Sequence, residues 1–294
     1  MSSNQIRKWV VRGYILLFFT YLFGPLILMS ASAFNNSSYP TISPWEGFTT
    51  EWFVSLAGNN KIIDGLVNSL WIGAGVVALS VPTALAAAIM LMQVNARVRP
   101  LYYMIVVSPV LVPGVILGIS TVIFWDRFGT LLGLDYETTS NPFFLTIVGQ
   151  STFISAYCML VFIARLQRFD KNLEEAALDL GASHTQVFWK VLIPFLRPAI
   201  LSSVVLAFLT SFENYNTTVF TMVSRGTLTT ELAGLARFGI SPEISALAVV
   251  ILGVTLFGAI VYEIRKRREE NAAERSKRAA KMKRLPSQAE TAAA

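Results

Sequence analysis

The sequence predicts an all-α, polytopic membrane protein with six transmembrane helices. Three observations carry that prediction. Hydrophobic residues make up 54% of the 294 residues and charged ones only 14%, whereas soluble domains carry about a quarter. Six apolar segments each reach the roughly 20 residues needed to cross a hydrocarbon core about 30 Å thick. Lys and Arg fall on one side of those segments consistently enough to set an orientation.

The first segment, 13–33, follows a short basic stretch, 1–12. Ala31-Ser32-Ala33 has the look of a cleavage site. Its apolar run exceeds the 7–15 residues of a signal-peptide core, so an uncleaved span is expected. The loop that follows carries Trp45, Trp52 and Phe53, amphipathic rings that favour the membrane boundary, and a short interfacial helix is expected near 51–57. The further spans are 66–92, 101–125, 143–164, 198–223 and 243–262. Each must be helical, because backbone polar groups in lipid have no water to bond. The membrane domain thus covers 13–263. The charged, then Ala-rich tail, 264–294, lacks an apolar stripe and is expected to prolong the last helix before becoming disordered.

Net charge is +6. With the N-terminus in the cytoplasm, 20 of the 24 Lys and Arg lie inside and only Lys61, Arg127, Arg225 and Arg237 outside. Both termini are therefore expected in the cytoplasm. This is topology signal and lipid contact, not a nucleic-acid face. Cys158 is the only cysteine, which excludes an internal disulfide and suits small-residue packing. His184 is the only histidine, too little for a metal site. No Gly-x4-Gly-Lys-Ser/Thr pattern occurs, so ATP must bind elsewhere. The residues point to transport, not to catalysis.

A polar stretch, 165–197, separates the fourth and fifth spans. Leu173, Ala176, Ala177 and Leu180 share one face at helical spacing, with Glu174, Glu175 and Asp179 on the rest. Gly181 is expected to end that helix in the left-handed conformation. Ser183 with Gln186 forms a capping-box pattern that opens a second short helix bearing Val187, Phe188 and Val191, which Pro194 is expected to stop. The resulting knob is either a docking element or an amphipathic connector lying on the membrane surface.

Glu175-Ala176-Ala177, Gly181, Val191, Ile193 and Pro194 resemble the signature loop of ABC importer permeases. Phe48 to Phe53, Asn68-Ser69-Leu70, Leu178 to Ser183 and Gly239 to Ala248 are similar to the spermidine/putrescine branch, especially its second membrane subunit. The likeness covers nearly the whole chain except the tail. It implies the type I ABC importer permease fold in a bacterial inner membrane. It implies as partners an ATP-binding subunit dimer, a second permease subunit (a different chain or a second copy) and an extracytoplasmic solute-binding protein. It assigns ATPase docking to Glu174, Glu175, Ala176, Ala177, Gly181, Ala182, Ser183 and Pro194. ATP and Mg then belong to the partner, and this chain binds no cofactor and no metal.

Thr210 to Thr218 interrupts the fifth apolar segment with polar residues. Thr210, Glu213, Asn214 and Thr217 share a face at i, i+3, i+4 and i+7. Burying an ionised Glu213 at mid-membrane costs roughly 2.5–3.5 kcal/mol, so this face is expected to line the translocation route. The alternative is helix–helix hydrogen bonding, with Glu213 paired to an arginine or protonated. In the third segment Pro109, Pro113 and Gly114 remove backbone hydrogen bonds and invite a kink or break. Such a break lines a transport site or is a static kink. The resemblance implies a polyamine-like solute. The acidic pair expected of that branch stands here as Glu213-Asn214, and Gly114 is not acidic, which keeps an opine or amino-acid derivative as an alternative. A stand-alone secondary transporter using Glu213 is the remaining reading.

Overall fold

The computed structural model describes residues 3–134, 139–223, 225–239, 241–258, 260–264 and 267–268. Among these residues six helices are long and apolar enough to cross a membrane. The only strand-like pairing among them is an isolated bridge between Asn35 and Phe48. The chain divides into two units, 1–58 with 240–294, and 59–239.

The first unit contains α1 (Ser3–Ser32), α2 (Glu51–Gly58) and α12 (Pro242–Ile264). The Ser32 and Ser245 hydroxyls lie 3.0 Å apart. The loop after α1 is organised by Asn35, which is fully buried. Its Nδ2 donates to the carbonyls of Thr41 (2.9 Å) and Pro44 (3.0 Å), and its Oδ1 accepts from Glu46 N. Trp52 Nε1 donates to the Asn35 carbonyl. The short helix expected near 51–57 is α2. The expected tail lies outside the described residues except for Ile264 and 267–268.

The second unit contains α3 (Asn60–Gln93), α4 (Arg99–Leu111), α5 (Gly114–Leu132), α6 (Pro142–Leu166), α7 (Asn172–Asp179), α8 (His184–Val187), α9 (Ile193–Phe212), α10 (Thr218–Thr221) and α11 (Leu228–Phe238). Helices α3, α6 and α9 pack on one another around Ile72, Val76, Ile154, Met159, Phe162 and Leu196. Cys158 sits in this core, as small-residue packing predicts. Gly73 lets α9 approach: a Cβ there would lie 2.9 Å from the Phe208 ring. Close approach through small residues is the usual way helices associate in lipid.

One expectation about a helix end is corrected and another is narrowed to one of its alternatives. The segment 101–125, expected to kink or break at its prolines, is two helices. Pro109 stays inside α4, and Ser108 Oγ donates to the Ile105 carbonyl (2.8 Å), which has no N–H partner at position 109. The break falls at Pro113: the residue before a proline is driven out of the α region, and Val112 is extended at φ −87°, ψ 129°. Pro194, in turn, does not stop the helix. Residues Phe188–Leu192 form a π turn, closed by Ile193 N on the Phe188 carbonyl, and the helix runs on from His184 to Phe212. The wider turn shifts the backbone register just ahead of the proline ring, which then occupies the first turn of α9, where a missing N–H is tolerated.

At the α5–α10 contact a Cβ on Gly118 would stand 2.7 Å from the Thr217 carbonyl oxygen and 3.2 Å from Phe220 Cβ. Gly118→Leu should therefore destabilise the protein by about 1–3 kcal/mol, read as a lower unfolding temperature of the detergent-solubilised chain. Gly253→Leu, which meets nothing within 4 Å, should leave that temperature nearly unchanged.

Candidate functional site

Helix α7 ends in a geometry that only its glycine tolerates well. Gly181 has φ +84°, Gly181 N bonds the Leu178 carbonyl (2.8 Å) and Ala182 N bonds the Ala177 carbonyl (3.0 Å). The left-handed turn satisfies carbonyls that the helix end would otherwise leave open. Ser183 then starts α8 with the expected capping box: Gln186 N donates to Ser183 Oγ at 3.3 Å, and Ser183 N donates to Gln186 Oε1 at 3.0 Å.

The two faces of this knob are not distributed as the helical spacing alone suggested. Glu174, Ala177 and Leu178 turn partly inward, whereas Leu173, Ala176 and Leu180 point out with Glu175 and Asp179. Leu180 is 89% exposed, Trp189 62% and Leu173 52%. Val187 is buried, so α8 anchors the knob while Trp189 looks outward. Below the knob lies a cleft of about 430 Å³ lined by Ile89 and Met92 of α3, Leu166, Phe169 and Glu174.

Arg165, in the last turn of α6, ties the knob's root to α9. Its Nε and Nη2 both donate to the Phe195 carbonyl at 3.2 Å, and its guanidinium stands 4.2 Å from the Phe195 ring centroid. Phe169, in the linker towards α7, packs edge-on against the same ring at 5.1 Å. The guanidinium thus bonds the carbonyl and stacks on the ring of the same residue in one placement.

Thr210, Glu213, Asn214 and Thr217 do not share a helix face, because the helix stops between them. Helix α9 ends at Phe212 and Glu213 is its C-terminal cap. Asn214 Oδ1 accepts from Thr217 N (3.2 Å) and lies 3.1 Å from Thr218 Oγ1. A side chain that offers the backbone a local partner competes with continued helix. Thr217 is fully buried and its hydroxyl donates to the Gly114 carbonyl (3.2 Å). Glu213 is exposed and makes no ion pair among the described residues, so neither the buried carboxylate nor its arginine partner is found.

The break in α9–α10 meets the break in α4–α5. A Cβ on Gly114 would lie 3.0 Å from Asn216 Cβ and 3.2 Å from Thr217 Oγ1. The Pro113–Gly114 corner and the Glu213–Thr217 turn are therefore face to face. Helix α11 covers the turn from another side: Thr229 Oγ1 donates to the Asn214 carbonyl (3.1 Å), and Arg237 Nη2 donates to Tyr215 OH (3.1 Å).

Reading the sequence passed over the residue that joins these parts. Gln150 of α6 is 1% exposed. Its Oε1 accepts from Ser211 Oγ (2.5 Å) and its Nε2 donates to Thr218 Oγ1 (2.8 Å). One turn away, the hydroxyls of Thr146 and Thr221 are 2.8 Å apart. The available signal was an amide and a threonine at i and i+4 inside an apolar run, an expensive placement that asks for a partner. No three His, Cys, Asp or Glu side chains converge among the described residues.

A family model described as binding-protein-dependent transport system inner membrane component matches residues 80–270. The putrescine transport system permease protein PotI of Escherichia coli (strain K12) is 30% identical over 259 residues, covering 87% of this chain and 90% of that protein. The spermidine/putrescine transport system permease protein PotC of the same strain is 26% identical over 261 residues, covering 88% and 95%. The fold is similar to that in a crystal structure of a bacterial ABC transporter involved in the import of the acidic polysaccharide alginate. There the TM-score is 0.65 at 20% identity, over 88% of this chain and 95% of that one.

Proposed function

The chain belongs to the family of binding-protein-dependent transport system inner membrane components, and on that footing we propose that it forms half of the translocation pathway of an ATP-driven importer. Its solute is a small organic cation of the polyamine type, delivered by an extracytoplasmic binding protein. Both termini and the knob face the cytoplasm, in keeping with the placement of Lys and Arg. A second permease subunit completes the pathway. An ATP-binding subunit dimer holds the nucleotide and its Mg, and supplies the chemistry of hydrolysis. Family membership sets aside the stand-alone secondary transporter.

One observation carries the docking assignment. Leu173, Leu180 and Trp189 stand exposed on a polar knob whose own anchoring is already supplied by Val187 and Ala177. Apolar side chains gathered around a rigid glycine turn suit the groove of a partner protein. Glu174, Glu175, Ala176, Ala182 and Ser183 would contribute the rim and the turn. Pro194 lies beyond the knob and serves the helix that leaves it.

Motion imposed on the knob has a continuous route inward. Arg165 and Phe169 lock its root onto Phe195, and α9 carries the displacement to the break at Glu213–Thr217. There it reaches Pro113–Gly114. Two opposed broken helices can change their relative angle without unmaking a regular helix, which suits alternating access. Polyamine-type cargo is supported by what the relatives carry and by Glu213, an exposed carboxylate at the turn, since a cation is attracted by its charge.

The assembled transporter in vesicles, given ATP and labelled putrescine, tests both parts. Gly181→Trp should insert normally yet lose uptake at least about tenfold, since a bulky side chain at φ +84° distorts the turn by strain of about 1–3 kcal/mol. Normal uptake would refute docking through this turn. Glu213→Gln should reduce uptake at sub-saturating putrescine about fivefold, corresponding to roughly 1 kcal/mol for an exposed charge contact, with little change for a neutral solute. Equal uptake of putrescine by the variant would remove Glu213 from the route.

A further inference from the structure

Gln150 holds both sides of the break with a single side chain. Ser211 belongs to the last turn of α9 and Thr218 opens α10. A side-chain amide is neutral and carries separate acceptor and donor atoms, so it accepts from the first and donates to the second at once. Thr218 Oγ1 in turn donates to the Asn214 carbonyl (2.8 Å), so the chain of bonds closes on the turn itself. Thr146 and Thr221 add a second rung on the same face of α6. None of the four partners of these two rungs is exposed. Away from solvent, each of these bonds is costly to lose.

We infer that Gln150 is a positioning residue for transport: it sets the angle between the two halves of the broken pathway helix and thereby the direction in which Glu213 and Asn216 face the route. The inference rests on the pathway reading above. Leucine at 150 fills a similar volume and makes neither bond. Glutamate, when ionised, accepts from both hydroxyls and donates to neither, so it keeps the Ser211 contact and reverses the one to Thr218.

The test uses the full transporter in membrane vesicles, with the sole cysteine removed as Cys158→Ala and a reporter placed by Asn216→Cys, an exposed position on the turn. The rate of modification by a membrane-impermeant thiol reagent is measured per folded molecule, alongside the KM and maximal rate for putrescine. Gln150→Leu and Gln150→Glu should each change the modification rate about fivefold or more, the factor that matches roughly 1 kcal/mol. Both should raise KM while the amount of folded, inserted protein stays within twofold of the parent. A purely structural amide would lower the folded amount and leave rate and KM per molecule unchanged, and that result overturns the proposal. If Gln150→Leu does not insert, Gln150→Glu decides by the same criteria. The labelling needs neither solute nor ATP. Altered labelling with unaffected uptake in Glu213→Gln would therefore refute the pathway reading and keep the clamp, whereas unaltered labelling with impaired Glu213→Gln would do the reverse.

Discussion

A backbone that leaves the helix among apolar spans has no solvent to complete its hydrogen bonds, and the two opposed breaks of the larger unit answer to that constraint. The chain breaks at Val112–Pro113 and again at Glu213–Thr217. The two breaks are tied together: the Thr217 hydroxyl donates to the Gly114 carbonyl, and glycine at 114 and 118 makes the approach close enough for that bond. Neighbours add the rest: Thr229 of α11 donates to the Asn214 carbonyl, and Gln150 of α6 bonds the hydroxyls of Ser211 and Thr218 on either side of the turn. The polar residues of these spans bond one another and the backbone of the interrupted turn. That sharpens the significance of Glu213, which takes no part in this bonding and is exposed at the turn.

The long spans were legible from length and hydropathy, because lipid leaves a sequence few ways to cross it. The knob was legible too, since a capping box and a left-handed glycine act over three or four residues and need no distant partner. What escaped was set by contacts between elements. The spacing of Thr210, Glu213, Asn214 and Thr217 assumed a continuous helix, and nothing in those residues announces that Asn214 turns back on Thr217. Pro109 and Pro113 look alike in sequence, but Ser108 rescues the helix at the first and no side chain does so at the second. Pro194 has the look of a stop, yet a π turn ahead of it absorbs the ring. Gln150 had a faint signal, a lone amide among apolar neighbours, but its meaning lies in Ser211 and Thr218, some sixty residues on.

The knob and the breaks are separate in sequence but share one lever. Helix α9 follows the π turn that leaves the knob and ends at Phe212, and Arg165 fixes its root to the last turn of α6 while Gln150, in the first half of α6, fixes its tip. Two ties to one neighbour, near opposite ends, make α6 and α9 move together. A force applied to the knob is then not dissipated by sliding between those helices. On the proposed reading it would arrive at the two opposed turns, where the backbone can bend without losing a ladder of hydrogen bonds. A rigid lever ending in a soft joint is the arrangement that a distant engine requires, because coupling between remote sites needs an element with two discrete placements. On this view the amide at 150 and the guanidinium at 165 matter more to transport than the exposed apolar surface that makes up most of the chain, whose task is met by any side chain content to lie in lipid.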